Sequence, residues 1–401
     1  MTSKTNPGAN KVPLQTSKPL IAYGRMRRWL GMLYVGLLVS TSMAALKLDL
    51  PRALFSTTRQ GFGSLALELA TALTVFALVS LPLDSIGFYI EQRYKKSKST
   101  YRFFLGKQIA AYFRHGAIIL IMAILIALVN RYFGLPGLAL WSVIVTSMLL
   151  SGQLRLARFY AGLSASTVDS SSMFQGRATV LAVPTTERCF TGGIIGLPSQ
   201  EKIVIPEHWL NELPQQQLET LLLRRQEVIR SGLRTKGILI AALFTCSGIL
   251  MAGNLTERYF SLAVDSAAGL VTMSLLFTLW SFTGLISLPS ITHLAVYEAD
   301  KLAVQTGGKD SLLRQVIGRV DEDMGEESSR TAAVDNIFHP VPTAARRLEA
   351  LDQPRQMENP LAAWQTARYA LFLSVAGLGL LGRAVHCNAG KPELWAMMPA
   401  D

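Results

Sequence analysis

Two sets of side chains in this sequence could do chemistry. Arg224, Arg225, Glu227 and Arg230 fall in one stretch of helical periodicity. A carboxylate such as Glu227 can serve as general base toward a metal-bound water. An arginine pair at a membrane boundary can hold lipid phosphates. The same spacing also suits plain surface ion pairs, because Glu227 stands three residues from both Arg224 and Arg230. The second set is His293, Glu298, Asp300 and His339. Imidazoles and carboxylates are zinc ligands, so these four could form a metal site. The alternative is structural: His339, directly before Pro340, ends a loop, and Asp300 accepts local hydrogen bonds.

Other candidates have simpler readings. Gly192-Gly193 lacks the Gly-Lys-Ser/Thr ending of a phosphate loop and fits a turn between strands. Glu68 lies inside an apolar run, where an ionisable group is costly and either functional or drawn to the interface. The cysteines, Cys189, Cys246 and Cys387, are far apart and form no C-x-x-C pair, which argues against a disulfide framework or a cysteine metal site. His208 enters an amphipathic helix, His115 sits at a membrane edge and His386 in the tail.

The elements that must position these groups are mostly membrane spans. Half of the 401 residues are hydrophobic and only 16% are charged, against about 25% in soluble domains. Apolar runs cover 29–46, 65–90, 117–129 with extensions, 135–150, 237–251, 262–289 and 367–381. Each is near the roughly 20 residues needed to cross a bilayer, so about seven spans are expected. The fold class is mainly α, a polytopic membrane protein with an α+β polar region. Residues 1–27 read as a flexible tail and 28–152 as four spans. Residues 153–235 form the first half of the polar region, 236–289 two spans, 290–365 the second half, and 366–401 a last span and tail.

Lysine and arginine crowd the N-terminal stretch and the loop after the second run, while 49–61, 130–134 and 254–260 hold fewer. The positive-inside rule then places the N-terminus and polar regions in the cytosol and the C-terminus outside. The net charge of +12 is explained by this clustering, so no nucleic-acid partner is implied.

Within the polar region, Phe190 to Pro198 and Lys202 to Pro206 read as two short strands around a Gly/Pro-rich turn. Pro214 then opens a helix running through Ile229. This order resembles the CAAX prenyl protease family of membrane zinc metallopeptidases, which includes HtpX. Leu81-Pro82-Leu83-Asp84 with Gly87 and Tyr89, Leu213-Pro214 before Leu221-Leu222-Leu223, Ala299-Asp300, and His339-Pro340 before Arg346-Arg347-Leu348 carry the resemblance in the family's order, from about 65 to 381.

The resemblance implies a chamber among the spans and a peptide groove along an edge strand, here Phe190, Thr191, Gly192, Gly193 and Ile194. It also shows what has been replaced. Arg224 and Val228 fall on the two histidines of H-E-x-x-H, Arg225 on the catalytic glutamate and Val296 on the third ligand. Arginine stays protonated and offers no lone pair, and valine has no donor atom. The family's arginine six residues after the histidine falls on Ala345. The expectation is a catalytically inactive, metal-free relative that binds peptides, membrane proteins or lipid. The alternative is an active peptidase using zinc on His293, Glu298, Asp300 and His339, with Glu227 as base.

Overall fold

The computed structural model describes residues 18–95, 99–161, 165–168, 178–185, 188, 190–324, 330–353, 359–373 and 389–391. Cys189, residues 374–381 of the last apolar run, His386 and Cys387 lie outside them. The membrane part comprises α1 (Lys18–Lys47), the short α2 (Leu50–Leu54), α3 (Phe62–Lys95) and α4 (Tyr101–Ser151), and later α8 (Leu233–Arg258) and α9 (Ala267–Ser287). The polar part holds α5 (Gln153–Ala161), β1 (Ser166–Thr167), β2 (Thr179–Val183), β3 (Gly193–Ile195), β4 (Lys202–Pro206), α6 (Trp209–Glu212) and α7 (Gln215–Arg230). After α9 come α10 (Pro289–Gln305), α11 (Asp310–Met324), α12 (Ala332–Phe338), α13 (Ala344–Asp352) and α14 (Thr366–Leu373).

Among the described residues, five helices are long and apolar enough to cross a membrane. One of them, α4, has 51 residues, about 77 Å of helix at 1.5 Å per residue. That is more than twice the roughly 30 Å of bilayer hydrocarbon. It is broken at Gly134, with φ 58° and ψ −155°, two residues before Pro136. A side chain disfavours that backbone and proline removes a helical donor, so α4 supplies the third and fourth runs as two passes. The chain is an integral, polytopic membrane protein.

Two expectations about the ends change. Helix begins at Lys18, within the stretch expected to be a tail, because the chain there has partners. Tyr23 packs edge-on to Tyr94, and buried Arg27 donates to the carbonyls of Gly87 and Ala389. Residues 389–391 do not lie on the far face. Leu371 and Ala389 share one cluster with Leu83 and Leu285, Gly390 N donates to Asp84 and Lys391 pairs with Glu91. These contacts put residues 389–391 near the Lys95 end of α3, the face that also carries the polar part.

The sheet has the order β1-β2-β4-β3. The expected hairpin is present: β3 pairs antiparallel with β4, with Ile194 opposite Ile203. The sequence reading missed β2, which pairs parallel with β4 over Thr179–Val183. Val180, Ile203 and Ile205 are fully buried with Trp209, Leu218, Leu221 and Leu222. This alternation in the strands against helical spacing in α7 is what joins sheet and helix into one layer pair.

Candidate functional site

Helix α7 is amphipathic, but two of its three arginines, Arg224 and Arg225, turn inward. Arg224 and Arg225 are 2% and 0% exposed. The surface ion-pair reading holds only for Glu227, which is itself buried and accepts from exposed Arg230 at 2.9 Å. Arg224 instead reaches α10, where its Nε donates to Asp300 Oδ1 at 2.5 Å. From α13, Arg347 donates Nε to Asp300 Oδ2 and Nη2 to Oδ1, both at 2.8 Å. Asp300 is 1% exposed. Burial alone would raise its pKa, yet the Arg224 and Arg347 guanidinia outweigh burial and hold the carboxyl below its ordinary value. Three helices from both halves of the polar region thus meet on one carboxylate.

Arg225 points to the sheet. It donates to the carbonyls of Val204 at 2.8 Å and Thr191 at 2.7 Å, and its guanidinium lies over the Trp209 ring at 5.7 Å. The planar fork satisfies two carbonyls at once, which a glutamate cannot do. Val228 and Val296, on the aligned ligand positions, are fully buried in one apolar cluster with Ala295 and Ala299. Both aligned positions therefore lie in the apolar core.

The second set divides. His293 and His339 are neighbours, with His293 Nε2 at 2.5 Å from the His339 carbonyl oxygen, so it is the His339 backbone that engages His293. Burial pushes the His293 pKa below its ordinary value. His339 closes α12, its amide donating to Asp335, as expected of a loop end. Asp335 is fully buried and receives Arg330 at 3.0 Å and Arg346 at 3.3 Å. Arg346 and Arg347, side by side in sequence, thus serve different carboxylates. Glu298 lines a cleft of about 340 Å³ between α10 and α13, together with Tyr297, Lys301, Arg346 and Glu349. Burial pushes the Tyr297 phenol up to about 12.

The residues do not fit zinc. Both Asp300 oxygens are engaged by arginine, and His293 Nε2 faces a carbonyl. Among the described residues no group of three or more His, Cys, Asp or Glu side chains converges as a metal site. A catalytic zinc needs three such donors around an open position.

Phe190, Thr191, Gly193 and Ile194 are buried at the outer edge of the sheet. Gly192, at φ 81°, has its Cα so close to the Val204 carbonyl that an added Cβ would lie 2.0 Å from that oxygen. This edge is covered by the chain itself. Tyr369 of α14 donates its hydroxyl to the Ile194 carbonyl at 3.3 Å and accepts from buried Arg234, which also donates to Gly196 O. No sequence signal tied Tyr369 and Arg234 to this strand, since their separations run to 175 residues.

Glu68 is explained locally. It accepts from Ser56 N and Oγ and from Gln60, tying the 55–60 loop to α3. Cys246 is free and partly buried within α8, as a packing residue would be.

No protein-family description matches this sequence, and no curated protein is detectably similar. Among solved structures, Ste24p of S. mikatae superposes with a TM-score of 0.65 at 14% identity, covering 83% of this chain and 88% of that one. By fold, then, this chain is a polytopic membrane protein built like Ste24p, with arginine and valine at the positions that the sequence resemblance aligns with a zinc peptidase's ligands and base.

Proposed function

We propose that this chain is a membrane protein of metallopeptidase fold that binds peptides or membrane proteins without cutting them. The chain superposes on Ste24p, and the ordered phrases of the sequence, which resemble the CAAX prenyl protease family, support a metallopeptidase scaffold. The observation that carries the reading is the Arg224–Asp300–Arg347 cluster. It occupies the junction of α7, α10 and α13 with a buried ion network that leaves Asp300 no oxygen for a metal. Glu227, the base of the alternative reading, has its carboxylate committed to Arg230.

Peptide capture along β3 would require Tyr369 to release Ile194, so the cleft of about 340 Å³ beside α13 is the open alternative. Its two bases and two acids suit a polar segment of a client facing the cytosol.

The test is elemental mass spectrometry of the detergent-purified protein after zinc-supplemented expression, with cleavage of prenylated and unprenylated peptides followed in parallel. Metal well below one equivalent and no chelator-sensitive cleavage are expected. One zinc per chain, with cleavage lost on adding chelator, overturns the reading in favour of a peptidase with unusual ligands. His339→Ala would then identify them.

A further inference from the structure

Inside the spans lies a second cavity, unrelated to the buried arginines. It encloses about 230 Å³ and is walled by α3, α4, α8 and α9. Its lining includes Leu73, Phe76, Ala123, Ile249, Met273 and Phe277, with Ser274 as its single polar side chain. Its depth follows from the helix numbering. Leu73 stands eleven residues from the start of α3 at Phe62, and Met273 six from the start of α9 at Ala267. At 1.5 Å per residue these lie about 16 and 9 Å from the helix ends, inside a hydrocarbon layer about 30 Å thick.

Two facts about its surroundings identify an occupant. At the helix ends on the face opposite the sheet, charged side chains knit the loops together. Arg59 and Arg131 both pair with fully buried Asp265, and Arg131 also donates to Gln60 O. The flank is open: the lining residues Ala72, Leu73, Phe76, Ile119 and Ala123 are only half-buried, and Ser274 on α9 is exposed. A cavity of this lining stays dry, and what borders its open flank is lipid.

We infer that this cleft holds one acyl chain of a membrane phospholipid, entering sideways from the bilayer. On the scale of about 30 Å³ for a water-sized group, it takes roughly seven or eight methylene groups, the length of part of one chain. Without a chain the lining would lose its contacts on one side. Ala72 and Ala123 are the small residues that leave the room.

The experiment uses the full-length protein in detergent with a phosphatidylcholine carrying a photoactivatable diazirine midway along one acyl chain. Cross-linked positions are mapped by peptide mass spectrometry. Labelling is expected on Met273, Leu73 and residues near Ala123, saturating at one chain per protein. It should fall at least tenfold in Ala123→Phe, which fills the cleft, while labelling at outward-facing Leu78 stays unchanged. Ala72→Phe, approaching from α3, is the second variant should the first fail to give a monodisperse protein. Labelling confined to Val75 and Leu78, or cleft labelling unaltered by both variants, overturns the inference. So does displacement of the label by a prenylated cysteine peptide at concentrations where free fatty acid fails, which would assign the cleft to a modified client.

Discussion

Replacing Asp300 by Asn removes one charge and almost no volume. It leaves Arg224 and Arg347, 2% and 3% exposed, as two like charges within one buried site. At an effective dielectric near 20, each guanidinium–carboxylate contact is worth about 4 kcal/mol at 4 Å, part of which offsets desolvation. Breaking such a buried network by deleting one partner typically costs about 3–5 kcal/mol, while replacing the whole network by apolar residues of similar volume is often neutral or stabilising. Asp300→Asn is therefore expected to lower stability by about 3–5 kcal/mol. The combined Arg224→Met, Asp300→Leu, Arg347→Met protein should come back to within about 1 kcal/mol of the original.

Thermal unfolding in detergent followed by size exclusion reads both. In a chain of this size the single change should move the midpoint by about 4–6 °C. A loss below about 1 kcal/mol for Asp300→Asn would mean the carboxylate is not what holds the two arginines. A triple variant as unstable as the single one would mean the ions are stabilising on their own account, against the reasoning above.

Three further outcomes follow from the same geometry. Arg225→Met leaves the Val204 and Thr191 carbonyls unsatisfied, at a cost of roughly 2–4 kcal/mol, and hydrogen exchange should rise first in residues 190–195. Reinstating donors with Arg224→His, Arg225→Glu, Val228→His and Val296→Glu should bring zinc to about one per chain, because Val228 and Val296 share one buried cluster and Arg224 already reaches α10. Elemental analysis showing no zinc would place the backbones wrongly for the motif. Stability should also fall as pH drops from 7 to 5.5. His293 has a depressed pKa, so the unfolded chain takes up its proton near 6.5 while the folded one resists. Asp300, held below 3.8, keeps its full contribution throughout that window. His208 is also depressed by burial and acts with the same sign, so His293→Gln should flatten the midpoint-versus-pH curve without abolishing its slope.

Features set by local pattern were readable in the sequence. Apolar length gave the spans, the Gly/Pro turn gave the β3–β4 hairpin, and Pro214 gave the start of α7, where it is the N-cap residue. The break in α4 could also be inferred from two runs flanking Gly134 and Pro136. What the sequence hid is non-local. Nothing near Arg224 in sequence announces Asp300, 76 residues away, and the closer Glu227 offered a cheaper pairing that the structure gives to Arg230. Arg225 was expected on the position of a catalytic glutamate; its partners in the structure are backbone carbonyls, which sequence does not display. The covering of β3 by Tyr369 escaped for the same reason, and with it the fact that the expected peptide edge is closed. Strand β2 was missed because its partner is parallel and separated by β3 in the chain.

The shared carboxylate of Asp300 also bears on how the chain is made. Arg224 leaves the ribosome 76 residues before Asp300 and Arg347 leaves it 47 residues after. At about 5–20 residues per second, the first arginine waits roughly 4–15 s for its counter-charge, and the cluster closes only later still. During that wait α8 and α9 are synthesised and must enter the membrane. α7 can already pack its leucines and Arg225 on the sheet, but its Arg224 face stays without its carboxylate until both spans are threaded, and the cluster closes only when α13 has emerged.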